Sequence, residues 1–89
     1  MTFEYSERFK KRLEKKPPDQ VDAILRCIKK LEQELASPVR RHGLRVKKMS
    51  GYSGVYEARI DRSNRLTFER AGDRVVLRTH CNHSVLGRP

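Results

Sequence analysis

The chain has no tryptophan and only two cysteines, and no apolar run approaches the ~20 residues that a membrane-crossing helix needs. Cys27 and Cys81 are too few to frame a secreted disulfide scaffold. The opening MTFEYSERFKKRLEKK lacks the apolar core of a secretory signal. These absences predict a cytoplasmic protein with no membrane segment. Acidic residues are also scarce: 11 Asp and Glu face 21 Lys and Arg, a formal net charge of +10. That excess does not choose a fold, but it favours a polyanionic partner such as nucleic acid, a ribosome or an acidic protein. At 89 residues, with 36% hydrophobic and 36% charged, the chain predicts one domain, 1–89. Its modest core must be built from one apolar face of each element.

The periodicity is helical in the first half and two-residue in the second. TFEY (2–5) alternates as a short strand. Ser6 is placed to cap ERFKKRLEKK, where Phe9 and Leu13 share a face, and Pro17-Pro18 ends that helix. Asp19 is placed to cap a second helix over 19–35, whose Val21, Ile24, Leu25, Ile28, Leu31 and Leu35 form one stripe. Cys27, at the stripe's edge, reads as a small buried side chain. ASPVRRHG (36–43) is a loop, and LRVKKM (44–49) is a strand candidate. VYEARID (55–61) alternates Tyr56, Ala58 and Ile60 against Glu57 and Arg59. RLTFER (65–70) puts Leu66 and Phe68 in, and Arg65 and Thr67 out. RVVLRTH (74–80) follows a turn at AGD, with Val75 and Leu77 on one face and Arg74, Val76, Arg78 and His80 on the other. The expected class is α+β: a strand and a helical hairpin packed on one face of a small antiparallel sheet.

The uncovered face carries the functional signal. Alternation places Arg59 and Arg65 there on neighbouring strands, with Arg78 and His80 joining if the last strand keeps phase, and Lys47 or Lys48 depending on register. Like charges across strands repel, and only Glu57 and Glu69 are at hand on that face. An external anion is expected, and phosphate suits the arginine fork. A merely solvated basic surface is the plain alternative. The tail HCNH, residues 80–83, concentrates His80, Cys81 and His83. Neighbours on a strand diverge, and the one other histidine, His42, lies in a distant loop. No metal site is expected.

Four features resemble the RelE/ParE toxin superfamily of bacterial toxin–antitoxin systems. They are the order of elements, VKKMSGYSGVYEARID with its basic strand and glycine turn, the hairpin RSNRLTFERAGDRVVLR, and the tail HCNHSVL. The resemblance implies a ribosome-dependent mRNA endonuclease held in check by a cognate antitoxin. It uses neither metal nor small-molecule cofactor, and the ribose 2′-hydroxyl attacks the adjacent phosphate. It assigns Arg59 and Arg65 to clamping the phosphate, with Arg78 a third clamp. His83 becomes the general acid or base, with His80 its alternate should a bulge exchange them. Lys47, Lys48, His80, Glu57 and the helical Lys10, Lys11 and Arg12 are the implied RNA contacts. Glu57 stands where some members carry lysine, and Leu86 where many carry an aromatic. A gyrase-binding toxin of the ParE type, or a catalytically weak partner-binding relative, is the alternative.

Overall fold

The computed structural model describes residues 1–36 and 46–82. Strand β1 (Thr2–Tyr5) leads into helix α1 (Glu7–Glu14), and α2 (Pro18–Ala36) follows. Among the described residues four further strands follow: β2 (Lys47–Lys48), β3 (Val55–Arg59), β4 (Asn64–Ala71) and β5 (Arg74–Asn82). The class is α+β, as the periodicity predicts.

The two helix starts are chemically distinct. Ser6 has extended backbone and its hydroxyl accepts from the Phe9 amide at 3.1 Å, satisfying one of the amides a first turn leaves unpaired. At α2 the expected cap, Asp19, is already in the first turn. Pro18 opens the helix, where its fixed φ fits and its missing N–H costs nothing, and the Pro17 carbonyl takes the amides of Gln20 and Val21 at 3.0 Å each. The carboxylate of Asp19 still complements the positive end of the helix dipole.

Helix α2 buries Ile24, Cys27, Ile28 and Leu31. Leu25, expected in the stripe, is 46% exposed. At roughly 100° per residue it sits about 120° from the centre of the buried arc, and Cys27 fills the arc instead. These side chains meet Phe9 of α1 and Ala58, Leu66, Phe68, Val75 and Leu77 of the sheet in one core. Each fully buried aliphatic or aromatic side chain contributes about 1.5–3 kcal/mol. The Cys27 thiol donates to the Arg59 carbonyl at 3.5 Å, and burial pushes its pKa up to about 12, so it is an inert core group.

The sheet order is β1-β5-β4-β3-β2. Strands β2 to β5 form the expected antiparallel meander, but β1 pairs parallel with β5, so the sheet is mixed. Both helices lie in the connection between β1 and the meander, which supplies the long crossover that parallel neighbours require. Between β4 and β5 the turn is two residues, Gly72 and Asp73, and Gly72 takes φ +59°, a conformation that side-chain-bearing residues resist. The expected strand over 44–49 is confined to Lys47–Lys48 among the described residues, and 44–45 lie outside them.

Candidate phosphate-binding site on the sheet

A single extra residue reorganises the far end of β5. Thr67 pairs with Thr79, but the next residue, Phe68, pairs with Leu77. Arg78 is therefore a bulge, and the side-chain phase inverts beyond it. The carbonyl freed by the bulge does not go unpaired: the Ser6 hydroxyl donates to it at 2.6 Å, and the Ser6 amide donates to the Leu77 carbonyl at 2.9 Å.

The inversion corrects one expected site residue. His80 pairs with core residue Leu66 and is 2% exposed, on the helix-covered side. Its ring meets Phe9 edge-on at 4.6 Å, and Nε2 lies 3.4 Å from the Phe9 carbonyl. Burial lowers its pKa; the Phe9 carbonyl opposes that, while the charges of Lys16 and Arg12 reinforce it. His80 is a core histidine turned toward the helices and away from the open face. Cys81, its neighbour, pairs with Arg65 instead, and burial raises its thiol pKa. Among the described residues no three metal-ligating side chains gather. His83 and His42 lie outside the described residues.

The two central arginines are brought together. Arg59 and Arg65 are direct partners across β3 and β4. A like-charged pair here needs something to hold it, and the β3–β4 turn does so. The Arg65 Nη1 donates to the carbonyls of Asp61 at 2.8 Å, Asn64 at 3.0 Å and Arg62 at 3.4 Å. The Arg59 Nε donates to the same Asp61 carbonyl at 3.4 Å. Among the described residues no carboxylate forms an ion pair with either guanidinium, and no acceptor takes the Nε and Nη2 of Arg65 or the two Nη atoms of Arg59. Each guanidinium is thus anchored on one side and presents two parallel donors on the other. That is the geometry for two oxygens of one phosphate.

The remaining expected contacts divide. On the same sheet face Lys47 pairs with Glu57 at 3.4 Å, and Arg78 with Glu69 at 3.1 Å. Lys48 has the opposite parity: it pairs with Tyr56, on the helix side, so register selects Lys47 for the patch. Lys10, Lys11 and Arg12 are exposed on α1, whose Phe9 packs against the other face of the sheet, and Lys10 pairs with Glu7 at 3.3 Å. They do not join the arginine pair. Arg12 and Arg8 of α1, with Lys16 just beyond it, are close enough to act on the Cys81 thiol, the cross-strand partner of Arg65.

Two features escape the alternation argument. The face away from the helices is not open at its centre: Glu57 is 5% exposed, Thr67 0% and Thr79 1%. Among the described residues the Thr67 and Thr79 hydroxyls have no hydrogen-bond partner. The second feature is the turn itself. The Asp61 carboxylate accepts from the amides of Ser63 and Asn64 at 2.9 Å each and from the Asn64 side chain at 3.0 Å. DRSN is a readable signal for this, since an aspartate beginning a turn commonly accepts from amides two and three residues on.

No family model matches the sequence, and no match is found among curated proteins. Solved structures do match over almost the whole chain. The RelB–RelE antitoxin–toxin complex from Methanococcus jannaschii matches with 23% identity, 91% of each chain covered and a TM-score of 0.68. The E. coli DinJ–YafQ toxin–antitoxin complex matches with 15% identity, 98% of this chain and 97% of the other, and a TM-score of 0.67. A YoeB/ParE toxin from Agrobacterium tumefaciens matches with 17% identity, 93% and 99% coverage, and a TM-score of 0.69. The fold is that of these toxins.

Proposed function

We propose, from the fold shared with these toxins and from the anchored arginine pair, that the protein is the toxin of a toxin–antitoxin pair and cleaves mRNA on the ribosome. The observation that carries the reading is the Arg59–Arg65 pair, cross-strand partners whose guanidiniums keep unengaged donors and, among the described residues, form no ion pair with a carboxylate. In the reaction the ribose 2′-oxygen bonds to the adjacent phosphorus, and the bond from phosphorus to the 5′-oxygen breaks. The products are a 2′,3′-cyclic phosphate and a free 5′-hydroxyl. Arg59 and Arg65 bind the non-bridging oxygens and oppose the charge that grows on them in the transition state. Arg78 is the third clamp, released from Glu69 as the substrate binds. His83, which follows Asn82 in the sequence, moves the proton: an unperturbed imidazole, with a pKa of about 6.5, suits transfer in either direction near neutral pH. Lys47, held by the buried Glu57, contributes a further phosphate contact.

Charge complementarity supports an acidic antitoxin as partner: the chain carries a net charge of +10. Two of the matched toxins are crystallised with RelB and DinJ.

The test is a reconstituted translation reaction with mRNA 5′ ends mapped by primer extension. New ends are expected only where ribosomes are present, and they should vanish in Arg65→Ala and His83→Ala. Cleavage that survives His83→Ala would keep the nuclease and discard the proton carrier. Undisturbed translation would reject the nuclease reading, and a gyrase supercoiling assay would then decide for the ParE-type alternative.

A further inference from the structure

Two like charges do not stay paired without a reason, and the reason here lies outside the expected site. Arg59 and Arg65 share one acceptor, the Asp61 carbonyl. The position of that carbonyl depends on the turn, and the turn is organised by the side chain of the same residue. One carboxylate oxygen of Asp61 takes the Ser63 and Asn64 amides, and both oxygens take the Asn64 side-chain amide at 3.0 and 3.1 Å. The Asn64 carbonyl in turn accepts from the Ile60 and Asp61 amides, closing the turn, and from Arg65 Nη1. All three carbonyls that hold Arg65 therefore belong to the segment that the Asp61 carboxylate orders.

We propose that Asp61 is the positioning residue of the arginine clamp: it fixes the turn whose carbonyls hold Arg65 by Nη1 and Arg59 by Nε, leaving their remaining donors aimed at phosphate. It touches no substrate and acts only through the two guanidiniums. The inference rests on the reading that these guanidiniums hold an RNA phosphate. The surroundings of Asp61 favour its carboxylate form. Burial alone would raise its pKa, but the bonds from Asn64 and Ser63 and the nearby Arg65 charge outweigh that and leave it lowered.

The test separates geometry from charge. In Asp61→Asn the side-chain oxygen can still accept the two backbone amides, whereas Asp61→Ala loses every bond. The Nε–Hε signals of Arg59 and Arg65 would be followed by NMR during titration with inorganic phosphate, beside mRNA cleavage on ribosomes. Asp61→Ala is expected to abolish the phosphate-induced shifts and to reduce cleavage on the order of 10- to 100-fold, the usual penalty of a misplaced contact. Asp61→Asn should restore most of both. Unchanged arginine signals in Asp61→Ala would overturn the proposal. If Asp61→Ala does not fold, Asn64→Ala removes only the side-chain bonds and should give a partial loss; no loss there overturns the proposal too. A wild-type protein that shifts with phosphate but cleaves nothing would reject the nuclease reading, and the NMR arm would still decide the role of Asp61.

Discussion

The Ser6 hydroxyl donates to the Arg78 carbonyl at 2.6 Å while accepting from the Phe9 amide at 3.1 Å. One side chain thus caps α1 and satisfies the bulge in β5, across 72 positions of sequence. Ser6→Ala removes both bonds and should cost about 1–3 kcal/mol, the sum of a lost cap and a lost hydrogen bond. Ser6→Asp can still accept from Phe9 but cannot donate to Arg78. Urea unfolding should place it between the wild type and Ser6→Ala. A midpoint for Ser6→Asp equal to the wild type would mean that the bulge carbonyl does not depend on Ser6.

His80 links stability to pH. Its folded pKa is lowered, so the native state resists protonation more than the unfolded chain does. Its contribution is intact above the unfolded value of about 6.5 and is lost as pH falls from there through the folded pKa. Thermal melting between pH 7.5 and 5 should show a decline that begins near the unfolded value and is reduced in His80→Leu. The neighbouring charges that act on the ring are those of Lys16 and Arg12. Equal slopes in the two proteins would assign the decline to other groups.

Whatever follows a fixed period was legible in the sequence. The α2 stripe apart from Leu25, the Tyr56–Ala58–Ile60 face and the placement of Arg59 and Arg65 on one face of neighbouring strands all follow from helical or two-residue spacing. His80 escaped because one inserted residue inverts the phase, and alternation has no memory of where an insertion falls. A trace of it is present: unbroken alternation would have sent polar Thr79 into the core. Strand direction escaped as well, since the pattern of β1 is the same whether it runs parallel or antiparallel to β5. The role of Asp61 was hidden for another reason: it acts through its backbone carbonyl, which every residue has, and only the turn geometry singles it out.

Arg65 should not tolerate lysine. An ammonium group can hold the Asp61 carbonyl or reach a phosphate, but it cannot do both with a planar fork. Arg65→Lys is expected to lose cleavage roughly 10²-fold, the scale of removing one donor to a developing oxyanion, and melting should change little at an incompletely buried position. Activity within threefold of the wild type would mean that position 65 supplies charge alone, and the bidentate role would fall.

Thr67 and Thr79 are cross-strand partners whose hydroxyls are buried and find no partner among the described residues, a condition that costs each about 1–3 kcal/mol. Replacing both by valine keeps the shape and removes the two unsatisfied groups, so Thr67→Val/Thr79→Val should be neutral or more stable in urea. A loss above about 1 kcal/mol would show that the hydroxyls find partners in solution, in each other or in water. Stability and activity need not move together here. The pair sits one row from Arg65 and beside Arg78 on the same face. A double variant that is more stable yet slower in cleavage would mean that the folded chain carries these unpaired donors because the substrate uses them. A variant both more stable and fully active would assign them no part in binding RNA, leaving the arginines as the anion-binding groups of that face.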